Sequence, residues 1–135
     1  MAASTLAERP GLEPEKLSVL VVEDEVLLRV MMADELRSNG LSVIEAANAD
    51  EALTVLRSSA PVDLLFTDIR MPGSMDGLAL AALMRAIKPE LKIIVASGQS
   101  PRSLSRDIAD EFFDKPYNAA TVVKRITELL ATLEK

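Results

Sequence analysis

The chain contains no cysteine and no histidine. Without cysteine there is no disulfide, no thiolate metal site and no thiol nucleophile. Without histidine, the commonest zinc ligand and the commonest general base near neutral pH are both missing. Any proton or metal chemistry therefore falls to Asp, Glu, Lys, Ser, Thr or the single Tyr. Basic residues are outnumbered, 15 Lys plus Arg against 21 Asp plus Glu, which gives a net charge of −6. Phosphate contacts need a basic face, so direct binding to DNA or RNA is disfavoured. No apolar run reaches the length of a membrane span. Residues 1–16 lack the basic-then-apolar pattern of a secretory signal, and the chain is expected to be cytoplasmic.

What is present is the balance of an ordinary folded domain. The chain has 135 residues, 49% hydrophobic and 27% charged. A domain of this length buries about two-thirds of its unfolded surface, so it needs no covalent staples. Residues 1–16 hold two prolines and a glycine and read as a flexible leader, with a helical turn near 5–9. Residues 17–135 read as one domain.

Within that domain, short runs rich in Val, Ile and Leu alternate with longer stretches of helical spacing. The runs 18–22, 41–45, 62–67, 91–96 and 111–114 are too short for buried helices and read as strands buried on both faces. Helices are expected over 26–39, 49–58, 77–87, about 101–109, and 118–133. Leu27, Val30, Met31 and Leu36 space the first of these, and Asn39-Gly40 is its stop signal. Asn48 is placed to cap the second, which turns Ala52, Leu53 and Leu56 inward. Val122, Val123, Ile126, Leu129, Leu130 and Leu133 line one side of the last. Met31, Met32 and Met84 read as core filler.

Five strands alternating with five helices demand a mainly parallel sheet covered on both faces. Right-handed crossovers then restrict the fold to doubly wound α/β forms. In such folds the functional residues lie beyond the carboxyl ends of the strands. After the first strand come Glu23, Asp24 and Glu25, and after the third comes Asp68. After the fourth come Ser97 and Gly98, and after the fifth come Lys115 and Pro116. Carboxylates gathered in one pocket repel one another and raise each other's pKa unless a cation sits among them. Magnesium takes hard oxygen ligands of this kind, together with waters and phosphate oxygens. An Asp held beside such a cation and a lysine is an oxygen nucleophile placed for an incoming phosphoryl group.

The segments Val19-Leu20-Val21-Val22-Glu23-Asp24-Glu25, Thr67-Asp68-Ile69-Arg70-Met71-Pro72, Asp76-Gly77, Val95-Ala96-Ser97-Gly98 and Phe113-Asp114-Lys115-Pro116 resemble the receiver domains of two-component response regulators. Each motif alone is weak, but all of them occur in order on the appropriate strand ends. The resemblance runs from about 17 to 133 and implies a flavodoxin-like sheet of order 2-1-3-4-5. It implies Asp68 as the phosphoacceptor, and Mg2+ held by Glu23, Asp24, Asp68 and the backbone carbonyl of Arg70. Lys115 would contact the phosphoryl group, and Lys115-Pro116 would be a cis peptide. Ser97 and Phe112 would form the switch pair, and Arg70 and Gln99 would set the lifetime of the phosphoaspartate. The phosphoryl donor would be a histidine kinase or a histidine phosphotransfer protein. The output would pass to a protein target through the face of the fourth helix, fifth strand and fifth helix. A stand-alone receiver with no enzyme activity of its own is expected. The alternative is a receiver fragment of a hybrid kinase or larger regulator, acting in a phosphorelay.

Each residue also has a plainer reading. Acids favour the first turn of a helix, Asp caps turns, Ser-Gly is an ordinary turn, and lysine is usually at the surface. Phe112 can be plain core. A phosphatase of the haloacid dehalogenase type would need an Asp nucleophile after the first strand, where Glu23-x-Glu25 stands. A flavodoxin-like electron carrier would need a hydroxyl-rich loop there, and more aromatics than 3%.

Overall fold

In the computed structural model, which describes residues 16–71, 73–98 and 108–133, five strands form one parallel sheet of order β2-β1-β3-β4-β5. The strands are β1 (Ser18–Val22), β2 (Ser42–Ala46), β3 (Leu64–Asp68), β4 (Lys92–Ser97) and β5 (Glu111–Asp114). The helices are α1 (Val26–Ser38), α2 (Ala49–Arg57), α3 (Gly77–Ile87) and α4 (Ala119–Ala131). The expected helix near 101–109 and the leader 1–16 fall almost wholly outside the described residues. No helix among the described residues is long and apolar enough to cross a membrane.

Period-two alternation divides the core into two layers. Val19, Val21, Leu64, Phe66, Ile94 and Ala96 face one layer, which α1 and α4 close with Met32, Leu36, Val122 and Ile126. Leu20, Val22, Leu65, Ile93 and Val95 face the other, closed by α2 and α3 with Ala52, Leu53, Leu80 and Met84. Every residue of β1 and β3 is buried, as the continuous apolar runs required.

Local chemistry sets the helix ends. Asn48, Asp76 and Asn118 each accept a backbone N–H three residues on, capping α2, α3 and α4. Glu51 answers Asn48 by accepting the N–H of Ala47 at 2.7 Å. Gly40, at φ +85°, ends α1 by a left-handed turn that carries Leu41 N–H to the Leu36 carbonyl. At the amino ends of the strands, Asp63 accepts from Ser18 N–H at 2.8 Å and Asp110 from Ile93 N–H at 2.7 Å. These carboxylates satisfy donors that would otherwise be left at the sheet's lower edge.

Of the four residues whose spacing marks α1, only Leu36 is buried. Met32, Ala33 and Leu36 are buried, whereas Leu27, Val30 and Met31 lie at the surface, 71%, 40% and 53% exposed. Met31 is therefore not core filler, while Met32 and Met84 are. Leu133 is likewise exposed, at the end of the last helix. β3 and β4 each run one residue further than expected, so Asp68 and Ser97 are the last residues of their strands.

Candidate functional site

The carboxyl ends of β1, β3, β4 and β5 meet along one edge. Glu23 follows β1 directly and prolongs the sheet, its N–H bonding to the Ala46 carbonyl at 3.0 Å. Its side chain is buried, and one carboxylate oxygen accepts the N–H of Glu25 at 3.1 Å. Glu25 stands exposed at the N-cap of α1 and makes no side-chain cap bond. Asp68, also buried, pairs with Ala96 in register. Ile69 N–H then reaches back to the Ala96 carbonyl at 3.0 Å, fixing where β3 stops.

Lys115 enters from the far end of the chain. Its N–H bonds to the Ser97 carbonyl at 2.8 Å, and the peptide to Pro116 is cis. The ammonium lies 3.1 Å from Asp68 Oδ2 and 3.1 Å from Glu23 Oε1. Asp24, exposed, completes a trio in which one oxygen of each of Glu23, Asp24 and Asp68 lies within 4.8 Å of the others. Burial raises the Glu23 carboxyl above its ordinary range, more than the Glu25 N–H and Lys115 lower it, and the Asp68 charge adds to the rise. Burial works against the charge on Lys115, but its bonds to Asp68 and Glu23 outweigh that and hold its pKa above the ordinary value.

This donor set fits a hard dication. Three carboxylates against one ammonium leave two formal negative charges in excess, all on oxygen. One divalent cation cancels them, with Glu23, Asp24 and Asp68 as the residues that would hold it. Beside the trio, Asp68, Arg70, Gly98 and Lys115 line an open cavity of about 280 Å3.

The other expected residues are placed as follows. Ser97 is buried at the end of β4, one residue beyond the Ala96 that pairs with Asp68. Phe112 pairs with Val95 and is half-buried against the layer closed by α2 and α3. Arg70 is exposed at the cavity mouth. Gln99 lies outside the described residues.

Three contributors went unassigned in the sequence. Gly77 packs its backbone so closely on Asp68 that a Cβ there would lie 1.8 Å from the Asp68 carbonyl oxygen. Asp76-Gly77 was singled out only as one of the segments that carry the family resemblance. Tyr117 sits behind Lys115, edge-on to Phe66 with ring centroids 5.6 Å apart. Burial pushes its hydroxyl up to about 12, and the Glu23 charge adds to the rise. Arg29 binds the Glu23 carbonyl at 2.9 Å.

Residues 19–127 match the family described as the response regulator receiver domain. The chain is 32% identical over 117 residues to the chemotaxis protein CheY of Bacillus subtilis (strain 168), covering 83% of this chain and 96% of CheY. It is also 32% identical over 118 residues to the sensor kinase CckA of Brucella abortus (strain 2308), covering 84% of this chain but only 12% of that kinase. Among solved structures, the response regulator TrrA of Thermotoga maritima in complex with Mg2+–BeF superposes with a TM-score of 0.76 at 34% identity. That match covers 84% of this chain and 99% of TrrA. The fold, the acidic edge with its lysine and these matches agree: the chain belongs to the response regulator receiver domain family of two-component signalling.

Proposed function

We propose that Asp68 accepts a phosphoryl group from a phosphohistidine on a partner protein, in a Mg2+-dependent reaction that changes a protein-binding surface. The observation that carries this reading is the Lys115 ammonium 3.1 Å from both Asp68 and Glu23, with Asp24 closing the acidic trio. The bound cation would draw charge from the phosphoryl oxygens. A carboxylate oxygen of Asp68 forms the bond to phosphorus as the phosphorus–nitrogen bond of the donor breaks, and that bond's electron pair leaves with the imidazole. Lys115 holds Asp68 in place beforehand and faces the transferred oxygens afterwards. The donor histidine must come from elsewhere, since this chain has none. TrrA, solved with Mg2+–BeF, supports magnesium as the cation.

The donor's contact surface is expected on α1. Val26, Leu27, Val30 and Met31 form an exposed apolar face that begins two residues after Asp24. A partner seated there brings its histidine to the acidic edge while covering apolar surface.

For the switch, the Ser97 hydroxyl turns to a phosphoryl oxygen and Phe112 moves inward. This remodels the face made by β5 and α4, and a downstream protein reads the change. Arg70 and Gln99 set the phosphoaspartate lifetime, Arg70 from the mouth of the cavity. We read the chain as a cytoplasmic receiver that signals without contacting nucleic acid. It acts either alone, as the span of CheY allows, or within a longer regulator or hybrid kinase, as the span of CckA allows. Incubation with Mg2+ and acetyl phosphate should add one phosphoryl group by intact mass. That addition should vanish in Asp68→Ala; labelling that persists unchanged in the variant sinks the proposal.

A further inference from the structure

Both peptide planes that flank Glu23 are held, but by different means. The sheet holds the first through the Glu23 N–H bond to Ala46. The second is held by Arg29, whose guanidinium donates to the Glu23 carbonyl at 2.9 Å. Arg29 Nε also donates to Glu45 Oε1 on β2 at 3.3 Å, and its side chain is 17% exposed. Glu45 is itself engaged by Arg37, whose NH2 lies 3.4 Å from Oε2 and 3.3 Å from the Val43 carbonyl. The guanidinium is thus clamped between the end of β1 and a residue of β2.

A peptide is planar, so a fixed carbonyl fixes the N–H of the next residue. The plane that Arg29 holds leads directly into Asp24. Asp24 is exposed and lies outside any strand. Beyond Asp24 the turn is held by the Glu25 N–H bond to the Glu23 carboxylate at 3.1 Å, while Glu25 makes no side-chain cap and Val26 and Leu27 are exposed, so the Asp24 backbone is fixed from the Glu23 side by Arg29. We propose that Arg29 is a positioning residue of the cation site. It sets the Glu23–Asp24 peptide plane and so keeps the Asp24 carboxylate within reach of Glu23 and Asp68. The inference rests on the reading of these acids as the Mg2+ site.

The test measures Mg2+ affinity directly. Tyr117 is the only tyrosine, there is no tryptophan, and its ring lines a cavity together with Lys115. Tyrosine emission is therefore the reporter for Mg2+ titration. Arg29→Met keeps most of the apolar stem and removes the donors. Its Mg2+ dissociation constant should rise about 10-fold, as loss of a supporting bond behind a metal ligand commonly does. The rate of phosphorylation by acetyl phosphate should fall at low Mg2+ and recover at saturating Mg2+. Arg29→Lys should regain part of the affinity. An Arg29→Met protein that binds Mg2+ within twofold of wild type, whatever its melting temperature, overturns the proposal and leaves Arg29 a structural residue. If Arg29→Met does not fold, Arg29→Gln decides by the same threshold. Failure of the wild type to bind Mg2+ would instead overturn the reading of the site itself.

Discussion

Replacing Gly77 with alanine adds one methyl at the point where α3 meets the end of β3. That methyl carbon would sit 1.8 Å from the Asp68 carbonyl oxygen and 2.7 Å from its carbonyl carbon. Such contacts are not tolerated below 3.0 Å, so the two backbones must separate by about 1.2 Å. Neither side can yield by a rotamer change, because both are main chain. The Gly77 N–H is also bonded to the Ile69 carbonyl at 2.7 Å, and separation strains that bond. Overpacking of a filled site costs about 1–3 kcal/mol, and a backbone-on-backbone clash belongs at the upper end. At roughly 4 °C per kcal/mol for a domain of this size, the melting temperature should fall by about 12 °C. A misplacement of about 1 Å at a reacting group can slow it on the order of 100-fold. Phosphorylation by acetyl phosphate should therefore slow even below the melting point. The control is Gly98→Ala at the rim of the cavity, where a Cβ meets nothing within 4 Å among the described residues. Thermal melts by circular dichroism and phosphorylation rates by intact mass measure both variants. Gly77→Ala melting within 2 °C of wild type, with an unchanged rate, would refute the steric reasoning.

Lys115→Ala leaves two buried carboxylates facing each other without their amine. It should lose about 3 kcal/mol in EDTA, regain part of that in millimolar Mg2+, and accept phosphate while binding its target poorly; wild-type melting in EDTA would contradict the role given to this lysine. Glu23→Gln should melt higher than wild type at pH 7 without Mg2+. Because the folded carboxyl is raised above 4.5, the stability linked to its protonation is present at low pH and lost as pH rises through the folded value. The two curves should converge towards pH 4, and parallel curves across the range would count against a desolvated Glu23. Leu27→Glu, on the exposed face of α1, should slow phosphotransfer from a phosphohistidine protein at least several-fold while leaving labelling by acetyl phosphate unchanged. Equal transfer rates would move the donor's contact elsewhere.

The sheet was legible because its strands are buried on both faces, which leaves short apolar runs that cannot be amphipathic helices. The acidic edge was legible because the same topology collects whatever follows the strands, and Glu23, Asp24, Asp68 and Lys115 follow them. The inward side of α1 was not. Leu27, Val30 and Met31 share one helical stripe, and Met32, Ala33 and Leu36 share its neighbour. Periodicity finds a helix in either stripe without saying which one the sheet covers. Arg29 was hidden for a different reason. A single arginine on a helix has no pattern, and its meaning lies in a bond to a carbonyl that no side-chain rule anticipates. The closeness of Gly77 to Asp68 is likewise a property of the packed backbone.

The bond between Glu23 and Lys115 joins residues 92 positions apart. The two acids end the first and third strands, and the amine follows the fifth. Without β5 beside β4, Glu23 and Asp68 would face each other with no ammonium between them. The last strand therefore brings the counter-charge that lets the first and third close together.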